Sequence, residues 1–90
     1  MIDQKQKAII NFKKTHSLLG KIIKMTENKE YCINIMQQNL AAIGLLKSAH
    51  QMLMENHLNT CFKNATQSSK KDLQEKMIAE ILKVTKLLNK

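Results

Sequence analysis

His57 and Cys61 are spaced so that their side chains could hold one metal ion together. Residues four positions apart lie on the same face of a helix, with Cβ atoms about 5–6 Å apart. An imidazole and a thiolate are donors that suit a soft metal. A single pair of this kind often arises by chance, so the sequence's only other cysteine, Cys32, is considered as a third ligand.

Cys32 cannot reach His57 within one chain if a straight helix connects them. The two residues are 25 positions apart, which corresponds to about 37 Å along a helix. Two copies of this helix packed antiparallel would place Cys32 of one chain beside His57 and Cys61 of the other, and symmetry would make two such sites. The alternative is a chain that bends at Gly44 and brings both cysteines into one core.

The donor set favours a monovalent soft ion over zinc. Two thiolates and one imidazole suit Cu(I), which accepts low coordination numbers. Zn(II) is the second choice, because a tetrahedral zinc site needs a fourth ligand and none is evident. Both thiols must lose a proton to bind, so metal affinity should fall in acid.

Helices must position these donors, since the apolar residues recur at intervals of three and four and no long stretch alternates as a strand would. We predict one all-α domain over residues 1–90, with helices near 4–26, 29–63 and 69–88. Polar segments at 26–28 and 64–69 separate them. Residues 69–72 resemble a capping box with Asp in place of Glu.

The net charge of +8 predicts a polyanionic partner. All 15 basic residues are Lys, and six of them lie within residues 1–24. No apolar run is long enough to span a membrane, and the first residues are too polar for a signal peptide, so a cytoplasmic location is expected. No nucleophile–base set or phosphate loop is visible, so we do not expect an enzyme.

Several short motifs resemble the copper-sensitive operon repressor family (CsoR/RcnR type). They are Glu30-Tyr31-Cys32, Gln38, Ala41-Ala42 and His57-Leu58-x-x-Cys61, with Ile22-Ile23-Lys24-Met25 extending the match to the first helix. The resemblance implies an all-helical protein whose antiparallel dimers pair into tetramers. It also implies a repressor that binds operator DNA until an inducer arrives.

The resemblance also implies roles for individual residues. Cys32 would bind copper from one protomer, and His57 and Cys61 would complete a trigonal site from the other. Tyr31 would help to orient His57 by hydrogen bonding. The family places a Glu in the third helix for the same purpose; Met77 stands at about that position here, and Glu80, close by, is the candidate.

The three donors together match the copper branch of the family. Nickel or cobalt sensors have His where Cys61 stands, persulfide sensors lack the His, and aldehyde sensors lack the second Cys. The resemblance therefore implies a Cu(I)-responsive repressor that binds double-stranded DNA in its metal-free form. A thiol, persulfide or electrophile sensor of the same family is the alternative.

The DNA-binding positions depart from the family's usual pattern. Where the family has Arg, Arg and Gly-Gln, this chain has Asn11, Lys14 and Ser17-Leu18, and Ile43 replaces a further Arg. Lys binds phosphates well but reads guanine less well than Arg does. We expect DNA contacts from the first helix, through Lys13, Lys14, Lys21 and Lys24. A helical metal-binding protein without specific DNA recognition is the third hypothesis.

Overall fold

The computed structural model describes residues 3–67 and 70–90, with side chains at all of these except Phe62, Ala65 and Thr66. Its helices are α1 (Gln4–Glu27), α2 (Cys32–His57), α3 (Lys63–Thr66) and α4 (Lys71–Leu88), and a π-helical turn (Leu58–Phe62) joins α2 to α3. No strand occurs in the described ranges, so the predicted all-α class is confirmed. The chain divides into two compact units, Met1–Glu55 and Asn56–Lys90.

The two ends of α1 are capped by local hydrogen bonds. At the start, the Asp3 carboxylate accepts from the Gln6 amide at 2.8 Å, and the Gln6 side chain accepts from the Asp3 amide at 3.1 Å. At the end, the Lys29 amide donates to Thr26 O and the Glu30 amide to Met25 O. This pattern is a Schellman motif, which requires a left-handed residue, and Lys29 supplies it with φ of 56°.

The Schellman motif corrects the predicted start of the second helix. We expected the second helix to begin near residue 29, directly after the polar segment 26–28, but the motif uses Lys29 and Glu30 to end α1. Helix α2 begins at Cys32 instead. It then continues through Gly44 without a break, so the alternative of a bend at Gly44 is wrong.

Helices α1 and α2 form an antiparallel hairpin closed by small and polar side chains. One side-chain hydrogen bond links them, from Asn11 Nδ2 to Leu45 O at 3.1 Å. The buried residues repeat at intervals of three and four, as in a coiled coil. These residues, together with the half-buried positions that continue the repeat, are called the seam. The seam consists of Ala8, Asn11, Thr15, Leu18, Ile22 and Met25 on α1, and of Ile35, Gln38, Ala42, Leu45, Ala49 and Met52 on α2.

Large apolar side chains lie beside the seam and stay exposed. Each follows a seam residue by one position: Ile9, Phe12, Leu19 and Ile23 on α1, and Met36, Ile43, Leu46 and Leu53 on α2. One position is a rotation of about 100°. Because the helices run antiparallel, the same rotation turns both sets toward the same side of the hairpin. These eight residues form its apolar face.

The opposite side of the hairpin is basic on α1 and uncharged on α2. Four of the six α1 residues that precede seam positions are exposed lysines, and we call them the basic side: Lys7, Lys14, Lys21 and Lys24. The corresponding α2 positions are Asn34, Gln37, Ala41, Gly44, Ser48 and Gln51. Four of the six lysines of α1 therefore lie on the side of the hairpin opposite the apolar face.

In the second unit, α4 has no fully buried residue. Its first turn carries Asp72, which favours the helix start by charge. The predicted capping box begins at Ser69, which lies outside the described residues. Lys70 occupies the N-cap position of α4, and its side chain makes no capping hydrogen bond.

Candidate metal centre

Cys32 is the first residue of α2 and carries an exposed free thiol. The helix begins here because the Tyr31 carbonyl accepts from the amides of Asn34 and Ile35, at 3.0 and 3.3 Å. The Tyr31 side chain is 71% exposed. In a single chain, the first predicted donor and its neighbouring phenol are therefore both open to solvent.

His57 and Cys61 lie where α2 ends and the π-helical turn begins. His57 is the last residue of α2 and is half-buried, whereas Cys61 lies inside the turn with an exposed free thiol. π-Helical turns are rare and occur frequently at functional sites. Chain geometry in the second unit thus places two of the three predicted donors four residues apart on consecutive turns.

One hydroxyl contacts the Cys61 sulfur. Thr60 Oγ1 lies 3.6 Å from Cys61 Sγ and 2.6 Å from Asn56 O, to which it donates. Sequence reasoning missed Thr60, because a threonine beside a cysteine is not in itself a signal. Only the backbone of the turn shows that its hydroxyl oxygen lies within contact distance of the sulfur.

A single chain does not assemble a complete site among its described residues. No group of three His, Cys, Asp or Glu side chains that could hold a metal ion occurs there. Tyr31, His57 and Glu80 take part in no side-chain hydrogen bond within the same ranges, and Glu80 is exposed on α4.

The lysines predicted to bind DNA divide between two sides of the hairpin. Lys14, Lys21 and Lys24 belong to the basic side. Lys13 instead borders a shallow groove with Ile9, Phe12 and His16, next to the apolar face. Asn11, at a usual family Arg position, is buried in the seam, so its side chain is not directed at an external partner.

Comparison with known proteins places this arrangement in a family. A family model described as metal-sensitive transcriptional repressor matches residues 4–87. The chain belongs to that family. It is a family of transcriptional repressors rather than enzymes, as the sequence predicts.

Curated relatives within the family are named for copper sensing. A copper-sensing transcriptional repressor of Mycobacterium ulcerans is 35% identical over 65 residues, which cover 72% of this chain and 56% of the relative. Proteins of the same name from Mycobacterium tuberculosis H37Rv and Mycobacterium bovis are 34% identical over 62 residues, covering 69% of this chain and 52% of each relative. The chain thus spans about half the length of the curated relatives it matches.

Two further comparisons gave negative findings. No solved structure matches the chain at a significant level. Across the described residues, none of the helices combines the length and the apolar character needed to cross a bilayer.

Proposed function

We propose that this protein is a Cu(I)-responsive transcriptional repressor whose metal site is shared between two chains. The observation that carries the proposal is the exposed apolar face, because it continues in register toward the metal donors at both ends of α2. Cys32 lies two heptads before Leu46, and His57 lies two heptads after Ile43. The donors and the apolar residues therefore belong to one helical stripe.

An antiparallel partner satisfies the apolar residues and the donors at once. If Cys32 faces the partner's His57, the same register sets Met36 against the partner's Leu53 and Ile43 against the partner's Leu46. Leu40 then approaches the partner's Leu53 as well. This single register of the two α2 helices buries the stripe. The two-fold symmetry produces two identical metal sites.

The α1 part of the apolar face extends the same interface. Ile9, Phe12, Leu19 and Ile23 are each at least 41% exposed, and they lie on the same side of the hairpin as the α2 stripe. Two hairpins packed through these faces make a four-helix bundle, the usual way for amphipathic helices to bury such stripes. Pairing of two such dimers into a tetramer is what the family resemblance adds.

The donors present fit Cu(I). Two free exposed thiols and an imidazole without a side-chain hydrogen bond among the described residues are a soft donor set. When bound, copper would supply bonds that tie the start of one α2 helix to the end of the other. Zn(II) would require a further ligand. Tyr31 and Glu80 are the proposed hydrogen-bonding neighbours of His57.

Double-stranded operator DNA is the proposed partner of the basic side. Lys7, Lys14, Lys21 and Lys24 project from α1 on the side opposite the apolar face, so dimer formation leaves them accessible. Replacing Lys14 and Lys21 by Gln should weaken DNA binding. It should also make the negative slope of log affinity against log salt shallower by about 0.9 for each phosphate that is no longer neutralised. Lys5→Gln, on the apolar side of the same helix, is the control and should leave the slope unchanged.

The switch is tested by Cu(I) titration against a competing chelator, with and without operator DNA. Reciprocal coupling of about 1–3 kcal/mol requires Cu(I) to weaken DNA binding and DNA to weaken Cu(I) binding by the same factor. Cys32→Ala should abolish the coupling. An operator affinity that does not change with Cu(I) would contradict the proposal. If the protein binds DNA of any sequence, and only at low salt, the result would favour a helical metal-binding protein without specific DNA recognition.

A thiol-sensing repressor is the second candidate, favoured by the exposure of both cysteines. Oxidant or persulfide would then link Cys32 to Cys61 of the partner. The variant His57→Ala separates the two candidates, because it removes a copper ligand and leaves both thiols. A derepression response that survives this substitution supports thiol sensing over copper.

A further inference from the structure

We propose that Asn39 and the partner's His50 form a hydrogen-bonded pair between two copies of this chain, and that the pair fixes the register in which their α2 helices join. The inference rests on the proposed function for the antiparallel pairing of α2, and not for copper. Its basis is the position of two polar side chains within the stripe that also carries the metal donors. Asn39 lies one heptad after Cys32, and His50 lies one heptad before His57.

Both residues occupy positions that otherwise belong to the apolar face. On α2 each of these positions follows a seam residue by one, and Asn39 follows Gln38 as His50 follows Ala49. The remaining four positions of the set hold the four α2 residues of the apolar face. Asn39 is exposed and His50 is half-buried. Within the described residues neither side chain forms a hydrogen bond, so a single chain leaves both unpaired.

The register that joins the metal donors also joins these two side chains. If Cys32 faces the partner's His57, then one heptad further along α2 Asn39 faces the partner's His50. The axes of packed helices lie about 8–10 Å apart, so an amide and an imidazole at facing positions can meet. Each of them has a donor and an acceptor, so the pair forms with the ring hydrogen on either nitrogen. Two-fold symmetry produces two such pairs in a dimer.

A slip of one heptad breaks this pairing. In one direction Asn39 faces the partner's Ile43, and in the other His50 faces the partner's Leu46. Either slip buries a polar side chain against an apolar one, which leaves its hydrogen bond unmade and weakens association. Apolar contacts alone distinguish the registers poorly, because apolar side chains of similar size still meet after either slip. A polar residue at a single position of this kind specifies register in coiled coils.

The pair acts on association and does not touch the copper ligands. One heptad corresponds to about 10 Å along a helix, which separates Asn39 from Cys32 and His50 from His57. At a protein concentration well above the dissociation constant of the dimer, His50→Ala should therefore bind Cu(I) with near wild-type affinity.

The first test is a double-mutant cycle on dimer formation by the metal-free full chain, measured by sedimentation equilibrium. A hydrogen bond contributes about two- to tenfold to association, and each dimer contains two such pairs. Asn39→Ala and His50→Ala should therefore each raise the dissociation constant. Once one partner is absent, removal of the other costs little more. The double variant should associate about five- to hundredfold more tightly than the product of the two single effects predicts.

The matched control for Asn39→Ala is Asn34→Ala. Asn34 is an exposed asparagine of the same helix, and it lies on the side opposite the apolar face. Its combination with His50→Ala should be additive. Since Asn39 and His50 lie outside the seam, all of these variants should keep their helices, and circular dichroism checks that they do.

The second test measures the register itself. A spin label on Cys32 of the metal-free Cys61→Ser chain reports the distance between the two copies, and a slip of one heptad shifts this distance by about 10 Å. We expect one distance, of about 37 Å along the helix axis. Adding Asn39→Leu and His50→Leu should preserve association and introduce further distances about 10 Å shorter and longer.

Additive effects of Asn39→Ala and His50→Ala overturn the hydrogen-bonded pair, and a single unchanged distance in the doubly leucine-substituted chain overturns its role in register. Both measurements are made without metal. If the wild-type dimer shows the coupling and the single distance but binds no Cu(I), the proposed function fails and this inference stands. Cu(I) binding by a chain with additive variants gives the opposite result.

Discussion

Three donor residues define the proposed site, and their chemistry could be predicted from residue type and spacing alone. Cys32, His57 and Cys61 are the two cysteines of the chain and a histidine four positions from one of them. Their local surroundings could not be predicted in the same way. The contact of Thr60 with Cys61 depends on the π-helical turn, which no periodicity of apolar residues indicates.

The proposed role of His57 as a copper ligand can be tested with another histidine of the same helix as the control. His57→Ala should weaken Cu(I) binding by at least about tenfold, because it removes one of three ligands and a factor of ten corresponds to only about 1.4 kcal/mol. His50→Ala is the matched control, since His50 is also half-buried on α2. Chelator competition measures both, and equal losses in the two variants would argue against His57 as a ligand.

Among the secondary-structure elements, helix existence was predictable and the use of the helix faces was not. The expected helices agree with α1, α2 and α4 to within a few residues, apart from the end of the long central segment. The hairpin, however, buries Ala8, Asn11, Thr15, Ala42 and Ala49, which do not register as a hydrophobic pattern. Many of the large apolar residues that reveal the helical period lie outside this seam and are exposed in a single chain.

The end of α1 provides a stability prediction at the scale of the element. Lys29 adopts φ of 56° at the position of the Schellman motif that favours glycine. Lys29→Gly relieves the steric cost of this conformation and should raise the free energy of unfolding by about 0.5–1 kcal/mol. Urea denaturation at a fixed protein concentration measures the change.

The control for Lys29→Gly is a second lysine-to-glycine substitution inside α1. Lys21→Gly lies in regular helix, where glycine should lower the free energy of unfolding by about 1 kcal/mol. A loss of stability in both variants would show that the left-handed conformation of Lys29 is not a source of strain.

On the scale of the whole molecule, the hairpin carries two surfaces for which we propose different partners. We propose that the apolar face packs against a second copy and that the basic side binds a polyanion. The net charge of +8 predicted the second partner, but only the seam shows which lysines remain available. A chain of 90 residues also has a limited core of its own, and the four buried apolar residues of the described ranges are mostly alanines.

Assembly can be tested by placing a charge on either side of the hairpin. Leu46→Lys puts a lysine at the centre of the proposed α2 interface, and symmetry introduces it twice, so we expect dissociation toward monomer by light scattering. Ile10→Lys is the matched control, because Ile10 is 41% and Leu46 44% exposed while Ile10 lies on the opposite side. Retention of the assembly by Leu46→Lys, or its loss in Ile10→Lys alone, would argue against this interface.

The proposal that two chains share the metal site is tested most directly by combining two variants that each lack one ligand. Cys32→Ala and Cys61→Ala homodimers each lack one ligand in both sites, so both should bind Cu(I) far more weakly than wild type. A heterodimer of the two chains, isolated by distinct tags, contains one site with all three donors. We predict one Cu(I) ion per heterodimer with wild-type affinity, whereas a heterodimer that binds no better than either homodimer would contradict a site shared between chains.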